Sequence, residues 1–193
     1  MSIYDEYREN VRKKLYDASV SLFKSRGYDK TSVTEITSAV GVAKGTFYNF
    51  FASKQDLLFA WAWEVFSGLD IQTAMDPRRT AEQNLHVLVD IIASAVDASQ
   101  GLFKTFLSEL LKQQGGMEQP AGFDFISLYR GVLASSLDGG KLLAREPDLK
   151  LEMINSVLFM GMLDWIGTHA KSHGLDAHLK KSVSLLIRGL SSD

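Results

Sequence analysis

Residues 31–54 constrain the fold most, because they combine two helix signals with a tight-turn signal. Ser32 and Glu35 have capping-box spacing, in which the serine oxygen and the glutamate each satisfy a free amide at a helix start. An apolar helical face follows and ends at Gly41, a residue that readily adopts the left-handed turn after a helix. A further short helix over about residues 44–50 completes the pattern. The segment therefore predicts a helix-turn-helix.

The second of these short helices carries the residue types that approach DNA. A helix-turn-helix places its second helix in the major groove, where base edges can be distinguished. Residues 44–46 (Lys-Gly-Thr) give this helix a small, polar and basic leading end, and its first amides can point at phosphates. Three aromatic residues at helical spacing are expected to anchor it in the core: Phe47, Phe50 and Phe51.

Helical periodicity dominates the rest of the chain, and prolines or glycine pairs separate the periodic segments. The pattern predicts helices over about 78–98, 101–114, 122–138, 148–172 and 176–190. The expected fold is all-α, with about nine helices. We expect a three-helix DNA-binding head over residues 1–53 and a helical effector-binding and dimerisation body over residues 54–193.

Composition narrows the class of protein. The 193 residues include no cysteine, which excludes disulfides and thiolate metal sites. The sequence contains neither an apolar run long enough to cross a bilayer nor a signal-peptide core near Met1, so a cytoplasmic location without membrane contact is expected. Eight basic and six acidic residues give residues 1–52 a net charge of +2, and the remainder is acidic. This asymmetry suits DNA contact confined to one end.

Four blocks in order resemble the TetR family of transcriptional regulators. They are residues 18–28 (Ala-Ser-Val-Ser-Leu-Phe-Lys-Ser-Arg-Gly-Tyr), 31–36 (Thr-Ser-Val-Thr-Glu-Ile), 41–48 (Gly-Val-Ala-Lys-Gly-Thr-Phe-Tyr) and 51–54 (Phe-Ala-Ser-Lys). The resemblance covers about residues 11–60. It implies a dimeric DNA-binding protein, a repressor by default, that binds a palindromic operator and releases it when a small effector binds the body.

The resemblance also implies roles for individual residues of the head. Phosphate contacts fall to Thr31 or Ser32, to Tyr48 and to Lys54. Contacts with base edges or adjacent backbone fall to Lys44, Gly45, Thr46 and Asn49, with Thr34 reaching in from the preceding helix. Two positions depart from the family pattern: Ala43 replaces a common serine, and Phe50 replaces a usual histidine or tyrosine. Alanine cannot cap the recognition helix, which costs about 1 kcal/mol.

The body is expected to supply a dimer surface and an effector pocket. Each of the last two predicted helices has one apolar face, and two such helices from each subunit would form a four-helix bundle. The faces consist of Leu151, Ile154, Leu158, Gly161 and Trp165, and of Leu179, Val183, Leu186, Ile187 and Leu190. Candidate contacts for a mainly apolar effector are Trp61, Phe103, Phe106, Phe125, Tyr129 and Met162, although such side chains more often serve as core.

Two other classes of function compete with this interpretation. His169 and His173 have a spacing that can bind a metal, but the glutamate of a metalloprotease helix is missing between them. No set of nucleophile, base and acid is apparent, so we expect neither an enzyme nor a cofactor. The alternative that stays open is a helical dimeric interaction protein that acts through protein partners, and Ala43 is the residue that favours it.

Overall fold

The computed structural model describes residues 3–99, 101–112, 146–169 and 174–190, and within these ranges the regular structure is helical. The helices are α1 (Ile3–Arg26), α2 (Val33–Val40), α3 (Lys44–Tyr48), α4 (Lys54–Ser67), α5 (Ile71–Ala74), α6 (Ala81–Ala98), α7 (Leu102–Lys112), α8 (Pro147–Asp164) and α9 (Leu175–Leu190). A π-helical turn, Trp165–His169, follows α8. The all-α class is confirmed.

The chain divides into two compact units. One comprises Met1–Val65 and Ser99–Phe123, and the other comprises Phe66–Ala98 and Asp124–Asp193. The first unit thus holds α7 and most of α4 together with the helix-turn-helix. The domain boundary after residue 53 stays a prediction, and this division of the chain does not coincide with it.

In the first unit, α1 supplies the platform for the shorter helices. Val11, Leu15 and Phe23 are buried along one face of α1, and Gly27 ends the helix with a left-handed φ of 89°. Phe59 of α4 meets Phe106 of α7 edge to face at 5.4 Å between ring centroids. This contact ties α7 to the helix that follows the helix-turn-helix.

In the second unit, α9 packs against both α8 and α6. Close approach of α8 to α9 depends on Gly161, because a Cβ built there would lie 2.6 Å from Cδ2 of Leu179. Leu179 is completely buried. Gly161 was predicted as part of the dimer surface, and in the structure it lies against Leu179 of the same chain.

Helix order agrees with the sequence pattern at most points. The predicted segments 78–98, 101–114, 148–172 and 176–190 correspond to α6, α7, α8 with its π-helical turn, and α9. The short α5, capped by Asp70, was not predicted, and the predicted helix over 122–138 lies outside the described residues. Within the described ranges, no single helix is long and apolar enough to cross a membrane, and α6 and α7 meet that test only as a bent pair.

Candidate nucleic-acid interface

The turn between α2 and α3 has the geometry that its sequence predicts. Oγ of Ser32 accepts a hydrogen bond from the Glu35 amide at 3.2 Å, and Oε2 of Glu35 accepts one from the Ser32 amide at 2.8 Å. The hydrogen bond from the Ser32 amide lowers the pKa of Glu35 from its ordinary value of 4.5, so the carboxylate stays ionised near neutrality. Gly41 closes α2 with a φ of 76°. These contacts fix the direction in which α3 begins.

Helix α3 is anchored on one side and presents polar atoms on the other. Phe47 is completely buried and contacts Tyr48 and Phe51 at ring-centroid distances of 5.3 and 5.7 Å. Tyr48 is nonetheless 52% exposed. Of the other predicted DNA contacts, Lys44 and Gly45 on this helix and Asn49 at its C-cap are exposed, and Thr46 is half-buried. The structure therefore brings the predicted recognition residues onto one helix, whose buried aromatic ring holds it in place.

Ala43 occupies the N-cap of α3 and makes no side-chain capping bond. Its backbone is already extended, with φ −66° and ψ 148°, which is the conformation of an N-cap residue. The Ala43 carbonyl accepts a hydrogen bond from the Thr46 amide at 2.9 Å, so backbone alone closes the first turn. The uncapped start predicted for this helix is confirmed.

The residues predicted before and within α2 occupy different environments. Thr31 is 1% exposed, and its hydroxyl donates to the Gly27 carbonyl at 2.8 Å. Ser32 and Thr34 are exposed. Between the two alternatives for a phosphate contact, Thr31 and Ser32, burial favours Ser32, because the Thr31 hydroxyl is already used inside the head. DNA contact by Ser32 and Thr34 remains a prediction.

Lys54 lies at the start of α4 and binds the head itself. Its Nζ donates to the carbonyls of Tyr28 at 2.7 Å and Thr31 at 3.1 Å. The same nitrogen lies 4.1 Å from the centroid of the Tyr28 ring. Burial raises the pKa of the Tyr28 phenol above its ordinary value of 10.0, so the ring under the ammonium is neutral. Lys54 thus clamps the loop before α2 to α4, a long-range contact that local pattern does not reveal.

Comparison with known proteins identifies the family of the helix-turn-helix region. Residues 15–61 match the family model described as bacterial regulatory proteins, tetR family. The transcriptional repressor KstR2 of Rhodococcus jostii strain RHA1 is 26% identical, over 94% of this chain and 91% of that protein. Residues 15–61 therefore form a TetR-family DNA-binding domain. These matches support a DNA-binding transcriptional regulator.

Other TetR-family proteins share similarity along nearly the whole chain. The fatty acid metabolism regulator protein of Bacillus subtilis strain 168 is 21% identical, over 92% of this chain and 94% of that protein. The structure of Thermus thermophilus FadR, a TetR-family repressor in complex with lauroyl-CoA, has a TM-score of 0.77. It is 23% identical and the match covers 92% of this chain and 94% of that one. Likeness at this identity establishes the shared fold.

The predicted effector contacts divide between the two units. Trp61, Phe103 and Phe106 are buried in the first unit, and Met162 is buried in the second. Phe125 and Tyr129 lie outside the described residues. The burial of the first four is consistent with a core role, and effector contact by any of them remains a prediction.

The predicted dimer stripe requires correction. Leu151, Ile154 and Leu158 of α8 are buried within a single copy of the chain. On α9 the same holds for Leu179, Val183 and Ile187, whereas Leu186 and Leu190 are half-buried, as are Gly161 and Trp165 on the α8 side. Helical periodicity identified the buried face correctly but cannot distinguish packing inside one subunit from packing between two. The six fully buried residues are not available to line a surface.

The metal alternative gains no support from the described residues, which hold no group of three or more His, Cys, Asp or Glu placed to bind an ion. The His169 side chain and residue 173 lie outside the parts whose side chains are described. Sequence reasoning also missed Tyr28, whose ring and carbonyl hold Lys54, and Arg8, which packs over Phe50. A cation–π partner 42 positions away has no local signature, because spacing reports only neighbours along a helix or strand.

Proposed function

We propose that this chain is a ligand-responsive repressor that binds a palindromic operator as a homodimer in the cytoplasm and releases it when an acyl-CoA thioester binds. The observation that carries the DNA-binding part is the polar face of α3, where Lys44, Tyr48 and Asn49 are exposed while Phe47 fixes the helix from behind. A rigid helix with its leading residues free is what major-groove recognition requires.

The effector class is suggested by similar proteins. Thermus thermophilus FadR was solved with lauroyl-CoA, and FadR of Bacillus subtilis, 22% identical with a TM-score of 0.64 over 92% of this chain and 98% of that one, was solved with stearoyl-CoA. A long acyl chain is also the kind of mainly apolar ligand that the aromatic and methionine content of the body favours. We therefore name long-chain acyl-CoA thioesters as the first effectors to test.

Coupling between effector and DNA needs a mechanical connection, and the first unit contains one. Lys54 joins the start of α4 to the loop before α2 through the carbonyls of Tyr28 and Thr31. One residue later, Nε2 of Gln55 donates to Glu109 of α7, at 3.4 Å to Oε2. A displacement of α7 or α4 is thereby transmitted to the helix-turn-helix. An effector that favours a displaced arrangement must weaken DNA binding by the same factor that DNA weakens effector binding.

The dimer surface is proposed to lie on the faces of α8 and α9 that carry exposed apolar side chains. Met153, Val157 and Met160 recur at i, i+4 and i+7 on α8, and Met160 is 60% exposed. Leu185 of α9 is 61% exposed. Large exposed apolar side chains on the outer faces of two helices are candidates for an interaction surface. This placement replaces the buried stripe and keeps the four-helix bundle as the proposed interface.

A charge on this surface tests the dimer. Met160→Glu is expected to shift the protein from dimer to monomer in analytical ultracentrifugation and to weaken operator binding. The matched control is Leu111→Glu on α7, where a leucine is 63% exposed outside the proposed interface. A dimer that persists in the Met160 variant, or that is lost equally in both variants, would contradict the placement.

Selection of bound sequences from random duplex DNA tests the function as a whole. The repressor proposal predicts enrichment of a palindrome whose half-sites are separated by about one turn of DNA or a multiple of it. Binding should weaken steeply with salt, because several phosphates are contacted. An interaction protein that works through an apolar face would enrich no palindrome and would show little salt dependence.

A further inference from the structure

A groove of about 380 Å³ lies beside the recognition helix, between α3 and the first turns of α1. The α1 wall is formed by Tyr4, Tyr7 and Arg8, and the α3 side by Thr46, Asn49 and Phe50. Thr46 and Asn49 are residues that the sequence assigns to the DNA surface. The groove is therefore continuous with the face of α3 that is proposed to enter DNA.

The part of α1 that lines the groove carries aromatic and basic side chains. Tyr4, Tyr7 and Arg8 recur at i, i+3 and i+4, which places them on the side that forms the groove. Asp5 is one turn before Arg8 and neighbours it along the helix, whereas Glu6 and Glu9 lie farther round; none of the three carboxylates lines the groove. The wall that faces α3 is accordingly aromatic and basic, although the segment as a whole is rich in acids.

Arg8 is held in the groove without a carboxylate partner among the described residues. Its guanidinium carbon lies 5.6 Å from the centroid of the Phe50 ring, a cation–π contact that orients the side chain and leaves the charge unneutralised. Arg12, one turn later, is instead bonded to Glu9 at 3.1 Å. The exposed Lys44 begins α3, and Arg8 packs just beyond its end. Two cations thus bracket the recognition helix.

We propose that Arg8 contacts an operator phosphate at the edge of the major groove that α3 enters, with the hydroxyls of Tyr4 and Tyr7 as additional donors. A helix lying in the major groove has a phosphate strand on either side, and arginine binds phosphate with several donors at once. Tyr4 and Tyr7 are 68% and 64% exposed, so both hydroxyls are accessible. These residues precede the stretch that matches the family model, residues 15–61.

This inference rests on the proposed operator binding, and salt dependence tests it separately. The dissociation constant for the selected operator is measured from 50 to 200 mM salt for the wild type, Arg8→Gln and Lys13→Gln. Loss of one phosphate contact in each subunit lowers the slope of log affinity against log salt by about 1.8. Between 50 and 200 mM salt, the fold loss of affinity of the variant is therefore smaller than that of the wild type by a factor of about 12. Lys13 is a matched control, because it carries the same charge on α1 but is bonded to Asp17 at 2.7 Å.

Two more variants sharpen the result. Arg8→Lys keeps the charge and should restore most of the slope, whereas replacing both Tyr4 and Tyr7 with phenylalanine should weaken binding at an unchanged slope. Unchanged thermal melting of each variant confirms that the exposed substitutions leave the fold intact. A wild type that selects no operator contradicts the proposed function. A wild type that binds while Arg8→Gln keeps the full slope, or loses no more slope than Lys13→Gln, overturns the role of Arg8.

Discussion

Lys54 was predicted to contact phosphate, and in the structure its ammonium binds the loop before α2. Lys54→Met tests whether this contact stabilises the fold. Methionine keeps the length of the side chain and removes the ammonium, which donates to the carbonyls of Tyr28 and Thr31 and lies over the Tyr28 ring. Hydrogen bonds from a charged donor contribute about 1.5–3 kcal/mol each. Lys54 is half-buried, so hydrogen bonds to water can offset part of the lost stabilisation. We expect the free energy of unfolding to fall by about 2 kcal/mol.

Lys44→Met is the matched control, because Lys44 is exposed at the start of α3. Its loss should change the free energy of unfolding by less than about 0.5 kcal/mol, measured by urea denaturation followed by circular dichroism. The slope of log operator affinity against log salt should respond in the opposite way. For a dimer it falls by about 1.8 in Lys44→Met, and it stays near the wild-type value in Lys54→Met. A stable Lys54 variant with a reduced slope would refute the clamp and restore Lys54 as a phosphate contact.

Three further substitutions, one of them with a control, probe helix ends and helix packing. Ala43→Ser supplies the missing cap of α3 and should raise the free energy of unfolding by about 0.5–1 kcal/mol. An unchanged free energy of unfolding would contradict the capping argument. Gly161→Ala should destabilise by about 1 kcal/mol in urea titration, because its Cβ collides with buried Leu179, whereas helical Gly189→Ala has open space and should stabilise. Glu35 has a lowered pKa, so its contribution is present above pH 4.5 and lost as pH falls further. Glu35→Gln should flatten the acid limb of stability against pH, and an unchanged limb would exclude this carboxylate as a cause.

Local features of the head were readable from the sequence because they depend on residues a few positions apart. The capping box of Ser32 and Glu35, the left-handed Gly41 and the uncapped Ala43 all follow from spacing and backbone preference. The contact of Ser53 with Asp56 is also short-range, since the Asp56 amide donates to Oγ of Ser53 at 3.3 Å.

Contacts between distant positions were not readable in this way. Lys54 meets Tyr28 across 26 positions, and Arg8 meets Phe50 from the opposite end of the head. Periodicity on α8 and α9 identified an apolar face but not whether that face packs inside one subunit or against a second one. A Cβ at Gly161 would collide with Leu179 of the same chain, so this face packs inside one subunit. The proposed dimer contacts are therefore the exposed Met160 and its neighbours. Such information exists only once the helices have been placed.

Competition between operator and acyl-CoA tests the central claim most directly. Operator fragments enriched from random DNA are bound to the protein, and stearoyl-CoA or lauroyl-CoA is titrated in, with free coenzyme A as control. A ligand-responsive repressor releases the fragment as acyl-CoA binds, and its affinity for acyl-CoA falls by the same factor when operator is present. Equal affinity for acyl-CoA with and without operator would contradict coupling to this ligand, and failure to enrich any palindrome would contradict operator binding itself.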